Sequence, residues 1–451
     1  MNKIKAYLKG CNEVYHTTLD PKGFGCVRIH LIPPKKKKLG IPWVVILNGY
    51  SLLPLQTSWA VLLKEFIVEL NKTDGKELED SDIRGLVNTT TENVKKIFTG
   101  AKQKDIKADL NEIILTLKEI ARGEEPSSDI GYMTLAKYYK YMQGPHRVDL
   151  LVSSMEKDGC WNCNQKCLHC YAAGEKLGKT KELTTSEWKL IIDKLKSALV
   201  PSITFTGGEP TLRADLCELV EHAKWFVTRL NTNGILLTKS LCDSLYDASL
   251  DSVQITFYSH NEEIHNTLVG GNHFSKTVEG IKNALSSGLD VSINTPLCSI
   301  NKNYLETIKF ASKLGVKYFS CSGLIPTGAA TKSDSIITRL SKEEITSIIK
   351  EAYNYCKSNE LELSFTSPGW IDSSVLNELK MVVPSCGACL SNMAINPSGE
   401  VIPCQSWLFE ESLGNILDTD FKKIWNSKKC KERRKRSSKN EILCPLSEVS
   451  K

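Results

Sequence analysis

Residues Gly159–Tyr171 read GCWNCNQKCLHCY, and residues Phe205–Pro210 read FTGGEP. The first stretch spaces its cysteines as Cys163-xxx-Cys167-xx-Cys170, which puts three thiolates on one compact loop. Structural zinc sites usually draw on paired CxxC or Cys/His spacings that supply four ligands. No second pair stands nearby, so a zinc knuckle would need Cys160 or His169 as its fourth ligand. A cubane held by three thiolates instead keeps one iron open to a small molecule. The second stretch follows a β-branched run. Its glycine pair, Gly207 and Gly208, lets the backbone approach a ligand and offer main-chain hydrogen bonds to an amino-acid-like group. Glu209 adds an acceptor for an ammonium.

Outward from these stretches the chain alternates. RVDLLVSS, SITFTGGEP, FVTRLNTNG, SVQITFYS, VSINTP and KYFSCSGL read as six short strands. Between them lie TSEWKLIIDKLKSAL, ADLCELVEHAK, KSLCDSLYD, FSKTVEGIKNALSSG and NYLETIKFASKLG, which read as helices. Strand–helix alternation implies parallel strands with crossover helices, hence an α/β fold. Six strands are too few to close an eight-stranded barrel. Ligands in such folds sit at the C-terminal strand ends, where both opening stretches fall.

With 451 residues the chain should hold more than one domain. The N-terminus lacks a signal-peptide apolar core and no long uncharged apolar run follows, so a cytoplasmic location with no membrane segment is expected. There, sixteen cysteines do not suggest a disulfide framework, and clustered ones suggest metal or cluster ligation. The scattered Cys11, Cys26, Cys217, Cys242, Cys298, Cys321 and Cys356 read as small buried hydrophobes. A net charge of +6 does not mark a nucleic-acid binder, and the basic run KKCKERRKRSSK reads as a solvated helix face.

The pairing of CNQKCLHCY with TGGEP resembles the radical S-adenosylmethionine (radical SAM) superfamily. The resemblance implies a partial (β/α)6 barrel over residues 146–335. It also implies a [4Fe–4S] cluster on Cys163, Cys167 and Cys170, and SAM as cofactor. By the same resemblance Gly207, Gly208 and Glu209 meet the methionyl amine, the backbone at His169 touches adenine, and Thr256, Asn294, Leu324 and Ile325 contact ribose and adenine. Some relatives carry an arginine shortly after the fourth strand for the SAM carboxylate, whereas the stretch here, HNTLVGG, has none.

The tail, CGACLSNMAINPSGEVIPC followed by LGNI, resembles the SPASM/twitch extension of radical SAM enzymes that modify peptides. That likeness implies an auxiliary-cluster module over residues 381–446, reached through a helical connection at 336–380. One auxiliary [4Fe–4S] cluster is expected on Cys386, Cys389, Cys404 and Cys444, with Cys430 structural. A zinc ribbon is the alternative for the module.

Residues 1–100 show strands followed by helices, read as a winged-helix-like α+β module, with a helical linker at 101–145. Such a module could take a leader peptide as an added strand. The resemblance therefore implies a maturase of ribosomally made peptides with a precursor peptide as partner. Thioether formation is the expected outcome, ahead of carbon–carbon cross-linking or epimerisation. A flavodoxin or ferredoxin is the expected reductant. The alternatives are a folded protein, an RNA or a small metabolite as substrate, or a non-catalytic electron-transfer protein. Oligomeric state is not readable.

Overall fold

The computed structural model describes residues 2–19, 27–34, 37, 40–47, 51–73, 77–121, 139–157, 160–174, 181–325, 327–331, 337–408, 412–439 and 444. Cys26 and the linker stretch GEEPSSD lie outside them. The chain divides into two compact units, Met1–His146 with Lys196–Pro201, and Arg147–Leu195 with Ser202–Lys451.

In the first unit, α1 (Asn2–Gly10) precedes an antiparallel meander of β1 (Tyr15–Leu19), β2 (Val27–Ile32), β3 (Trp43–Leu47) and β4 (Ser51–Leu55), in that spatial order. Three helices follow: α2 (Thr57–Asn71), α3 (Asp80–Ile97) and α4 (Gln103–Ala121). Leu31, Val45 and Leu53 of the sheet share one core with Val61 and Leu63 of α2 and Leu110 of α4. The sequence suggests two short helices, DSDIRGL and TTTENVKKIF, where the structure has the single helix α3. Its β-branched run does not break it because Thr90 and Thr91 are buried and the Thr91 hydroxyl donates to Val87 O at 2.6 Å. That bond back along the helix satisfies the hydroxyl without a turn.

The second unit is built on one sheet. β5 (Arg147–Ser153), β8 (Ser202–Gly207), β9 (Val227–Thr232), β10 (Ser252–Thr256), β11 (Asp290–Leu297) and β12 (Tyr318–Gly323) are parallel neighbours, joined by crossover helices such as Thr185–Ser197 and Phe274–Ser286. These are the six strands read from the sequence. Between β5 and β8, β6 (Glu156–Lys157) and β7 (Cys160–Trp161) form a small antiparallel pair. The sheet runs further than the six. β13 (Glu362–Phe365) joins β12, and β14 (Asn392–Ile395) lies parallel beside β5 with β15 (Val401–Ile402) antiparallel at the edge.

Alternation decides which side chains reach the interior of the curved sheet. Val148, Leu150 and Val152 on β5, with Ile203 and Phe205 on β8, are fully buried. The opposite face carries polar groups, including Thr206, Asn231, Gln254, Thr256 and Asn294, which line a cavity at the strands' C-terminal ends. Parallel sheets are normally apolar on both faces, so a polar interior row marks the side on which a ligand sits. Among the described residues no helix is long and apolar enough to cross a membrane.

Candidate active site

The cavity holds about 220 Å³ and is lined by Cys163, Cys167, His169 and Cys170 from one side and by Gly207, Gly208 and Glu209 from another. Thr256, Asn294 and Ile325 also line it. Leu324 does not; it is buried against Tyr258, Leu268 and Val269, in a group that Cys167 joins.

Backbone bonds fix the cysteine loop from two directions. Lys166 N and Leu168 N donate to Val269 O and Leu268 O, each at 3.0 Å, at the end of the helix Glu262–Val269. The stretch HNTLVGG thus anchors the loop. Gly270 (φ +69°) closes that helix, and a Cβ there would stand 2.6 Å from Lys166 O. On the other side Ala329 N donates to Cys170 O at 2.9 Å.

The glycine pair is explained by β5. Gly208 N donates to Ser153 O at 3.0 Å, and Glu209 N donates to Ser153 Oγ at 3.1 Å. At Gly207 (φ +138°) a Cβ would lie 2.4 Å from Ser153 O. Only glycine lets the two strand ends close this tightly. The Cys163 thiol donates to Gly208 O at 3.4 Å, which joins the two motifs directly.

Glu209 is buried and its carboxylate is already engaged. It accepts from Thr211 N (3.0 Å), Thr211 Oγ1 (2.6 Å), Thr232 Oγ1 (2.7 Å) and Asn233 N (2.9 Å). Burial pushes its pKa up and these donors oppose the shift. The carboxylate therefore ties the GGEP turn to the end of β9. Asn233 extends the tie by donating to Asn164 Oδ1 at 2.6 Å on the cysteine loop.

Burial also raises the thiols: Cys163 is pushed up to about 12, and Cys167 and Cys170 are shifted in the same direction. Among the described residues, no Lys or Arg side chain lines the cavity. Such thiols stay protonated on their own and become thiolates when a ligand brings positive charge. Burial lowers His169 to about 4, so its ring is neutral; it packs edge-on to Tyr258 at 4.9 Å. Tyr258 hydrogen-bonds the Cys167 thiol. The sequence reading passed over Tyr258, although it stands two residues beyond the end of β10.

The tail cysteines sort into two groups. Cys386, Cys404 and Cys444 gather with Ala388, Trp407 and Ile325 in one apolar cluster. Burial pushes Cys404 up to about 11. Cys389 instead hydrogen-bonds Cys430, which also receives Arg434 Nη1 at 3.5 Å. Ile325 belongs both to the cavity wall and to the first group, and Gln405, next to Cys404, lines the cavity too. Among the described residues, no three His, Cys, Asp or Glu side chains stand close enough to hold a single metal ion.

A family model for the radical SAM superfamily matches residues 162–311, spanning the cysteine loop and the GGEP turn. Residues 162–311 thus form a radical SAM domain. A second model, for an iron–sulfur cluster-binding domain (SPASM), matches residues 386–445. An AdoMet-dependent heme synthase of Oleidesulfovibrio alaskensis is 29% identical over 282 residues, 58% of this chain and 72% of that protein. A PqqA peptide cyclase of Bradyrhizobium diazoefficiens is 30% identical over 250 residues, 54% of this chain and 64% of that one. Among solved structures, Streptococcus suis SuiB bound to the precursor peptide SuiA superimposes with a TM-score of 0.58 at 15% identity over 87% of each chain. The anSMEcpe enzyme with bound AdoMet and a Cp18Cys peptide gives 0.52 at 19% identity over 68% of this chain and 91% of that one.

The radical SAM and SPASM domains imply a [4Fe–4S] cluster, SAM and auxiliary iron–sulfur clusters. The residues present fit the first of these. Three soft donors on one anchored loop face a cavity that holds no Lys or Arg among the described residues. Beside them the glycine backbone at 207–208 forms part of the cavity wall.

Proposed function

We propose that this radical SAM enzyme modifies a ribosomally made peptide, most readily by forming a sulfur-to-carbon thioether. In this reading Cys163, Cys167 and Cys170 hold the catalytic cluster, and the backbone at Gly207 and Gly208 receives the methionyl end of SAM. Glu209 shapes that turn. Thr256, Asn294 and Ile325 face the nucleoside end, with the His169 backbone near adenine. Cluster and SAM together supply a one-electron cleavage to methionine and a primary carbon radical that takes hydrogen from the substrate. The protein's own contribution is placement, through a cysteine loop anchored by the backbone bonds described above.

Cys386, Cys404 and Cys444, with Cys389 nearby in sequence, would hold the auxiliary cluster as an electron acceptor one side chain, Ile325, from the cavity. Residues 1–100 would bind the leader segment of the precursor. An antiparallel sheet with two edge strands suits strand addition. A flavodoxin or ferredoxin would deliver the reducing electron.

The observation that carries this reading is the fold likeness to precursor-bound SuiB. It extends over 87% of both chains, well beyond the barrel. The test is mass spectrometry of a cysteine-bearing precursor after anaerobic incubation with reduced enzyme and SAM. Loss of two hydrogens per bridge, with the thiol blocked to alkylation, supports the thioether. An unchanged mass with an altered stereocentre would turn the assignment to epimerisation. The heme synthase relatives favour a second reading, a small-molecule substrate. Under it, no peptide would change mass and removal of the first unit would leave turnover intact.

A further inference from the structure

Two carboxamides lie deeper in the cavity than any group assigned to SAM above. Asn231 on β9 and Gln254 on β10 are register partners, and both line the cavity. Thr256, two residues further along β10, pairs with Asn294 at the strand ends. Same-face residues on a strand are roughly 7 Å apart, so the carboxamides form a row one step below the proposed nucleoside contacts.

This row is unfinished as a hydrogen-bonding surface. Among the described residues, Asn231 Oδ1 is buried without a hydrogen-bond partner. Gln254 donates through Nε2 to Ser320 Oγ at 3.3 Å, and Ser320 donates on to Asn294 Oδ1 at 3.1 Å. That chain fixes the Gln254 amide plane and leaves its carbonyl oxygen without a hydrogen bond among the described residues. Buried polar groups in native proteins are satisfied, by protein, water or ligand. An orphaned carboxamide on a cavity floor is therefore a recognition element awaiting its complement.

The floor also selects by charge. Among the described residues, Glu209 is the one carboxylate lining the cavity, its oxygens committed to Thr211, Thr232 and Asn233, and no Lys or Arg joins it. A charged side chain pushed onto this floor would lose its hydration with nothing to pair against. A neutral amide, donor and acceptor together, is matched by two neighbouring carboxamides.

We propose that Asn231 and Gln254 form a substrate subsite that grips the peptide group next to the carbon losing hydrogen, and that the residue placed there is uncharged. This rests on the peptide-modifying reading. It makes the pair positioning residues that hold the target carbon in line for hydrogen transfer. Their loss should uncouple SAM cleavage from substrate oxidation and leave SAM binding intact.

The experiment uses reconstituted full-length enzyme and the cysteine-bearing precursor, uniformly deuterated. SAM affinity, 5′-deoxyadenosine formed and deuterium carried into it are measured for native enzyme, Asn231→Leu and Gln254→Leu. Asn231→Ala and Gln254→Ala serve as versions that add no bulk. Expected are SAM affinity within about twofold of native and a fall of about tenfold or more in deuterium per 5′-deoxyadenosine, as suits the loss of well-placed hydrogen bonds. Gln254→Glu should uncouple as well, because it adds an unpaired carboxylate to a floor that takes a neutral group. Weakened SAM binding in step with the lost coupling would overturn the proposal by assigning the pair to the cofactor. Native coupling in all the variants would overturn it by showing that the floor never meets substrate. Native enzyme that cleaves SAM yet takes no deuterium from the peptide would overturn the peptide reading and the subsite with it, and this is visible before any variant is made.

Discussion

Gly207 and His265 show how single positions constrain this site. Gly207 combines φ +138° with a Cβ position 2.4 Å from Ser153 O, so an added methyl must push β5 and β8 apart where the ligand backbone is presented. Gly207→Ala should destabilise by roughly 1–3 kcal/mol through strain. It should also weaken SAM binding more than tenfold, read by equilibrium dialysis on reconstituted protein. His265 lies between Phe257 and Phe274, with Nδ1 accepting from Tyr258 N at 3.4 Å, and burial lowers it to about 4. The unfolded chain, with an ordinary histidine, binds the proton more readily. Stability from this group is thus complete above about pH 6.5 and is lost as pH falls towards 4. A shift of that size corresponds to about 3 kcal/mol. His265→Phe should flatten the fall in Tm between pH 6.5 and 4.5 relative to the unaltered protein. An unchanged slope would place the acid sensitivity elsewhere, for example at His146, also lowered to about 4 by burial.

At the scale of elements, the tail is the informative case. Its likeness to an iron–sulfur cluster-binding domain was legible in the cysteine spacing, but its attachment was not. β14 pairs in parallel register with β5, Ala394 beside Asp149, and contacts of this range leave no local signature in NMAI. Ala394→Pro removes a ladder N–H and should detach β14. The expected result is loss of the iron and sulfide of the auxiliary centre, with the catalytic cluster's spectrum retained. The basic run KKCKERRKRSSK is likewise more than a solvated face. Helix Lys428–Ser437 turns Cys430, Arg434 and Ser437 inward at helical spacing. Arg434 stacks 3.6 Å over Trp425 and donates to its carbonyl, and Ser437 donates to Ala388 O at 2.8 Å. Charge composition misled because guanidinium groups bury well on indole faces. Arg434→Lys, which cannot reproduce the stacked fork, should lower the Tm. Its effect should persist at high salt, where a surface contact would be screened.

For the whole molecule, the six parallel strands and the two motifs at their C-terminal ends were readable because strand periodicity and glycine chemistry are local. The polar interior row was also present in the letters, as Asn231 and Gln254 on successive strands of the chain. Only the register of β9 against β10 makes them neighbours. The first unit has its own core, from Leu31 through Val45 to Leu110, with no cavity residue among its members. A chain lacking residues 2–121 should therefore still form 5′-deoxyadenosine from SAM. It should lose measurable affinity for a fluorescein-labelled precursor; retained affinity would move leader recognition elsewhere.

Because β14 and β5 are rungs of one ladder, the auxiliary thiols and the catalytic loop are bolted to a common frame. Were both cysteine groups to hold iron–sulfur clusters, the spacing between them would be set by this ladder, as unresponsive to the reaction stage as the pitch of the sheet. In the peptide-modifying reading, timing would then have to come from the substrate rather than from movement of the frame.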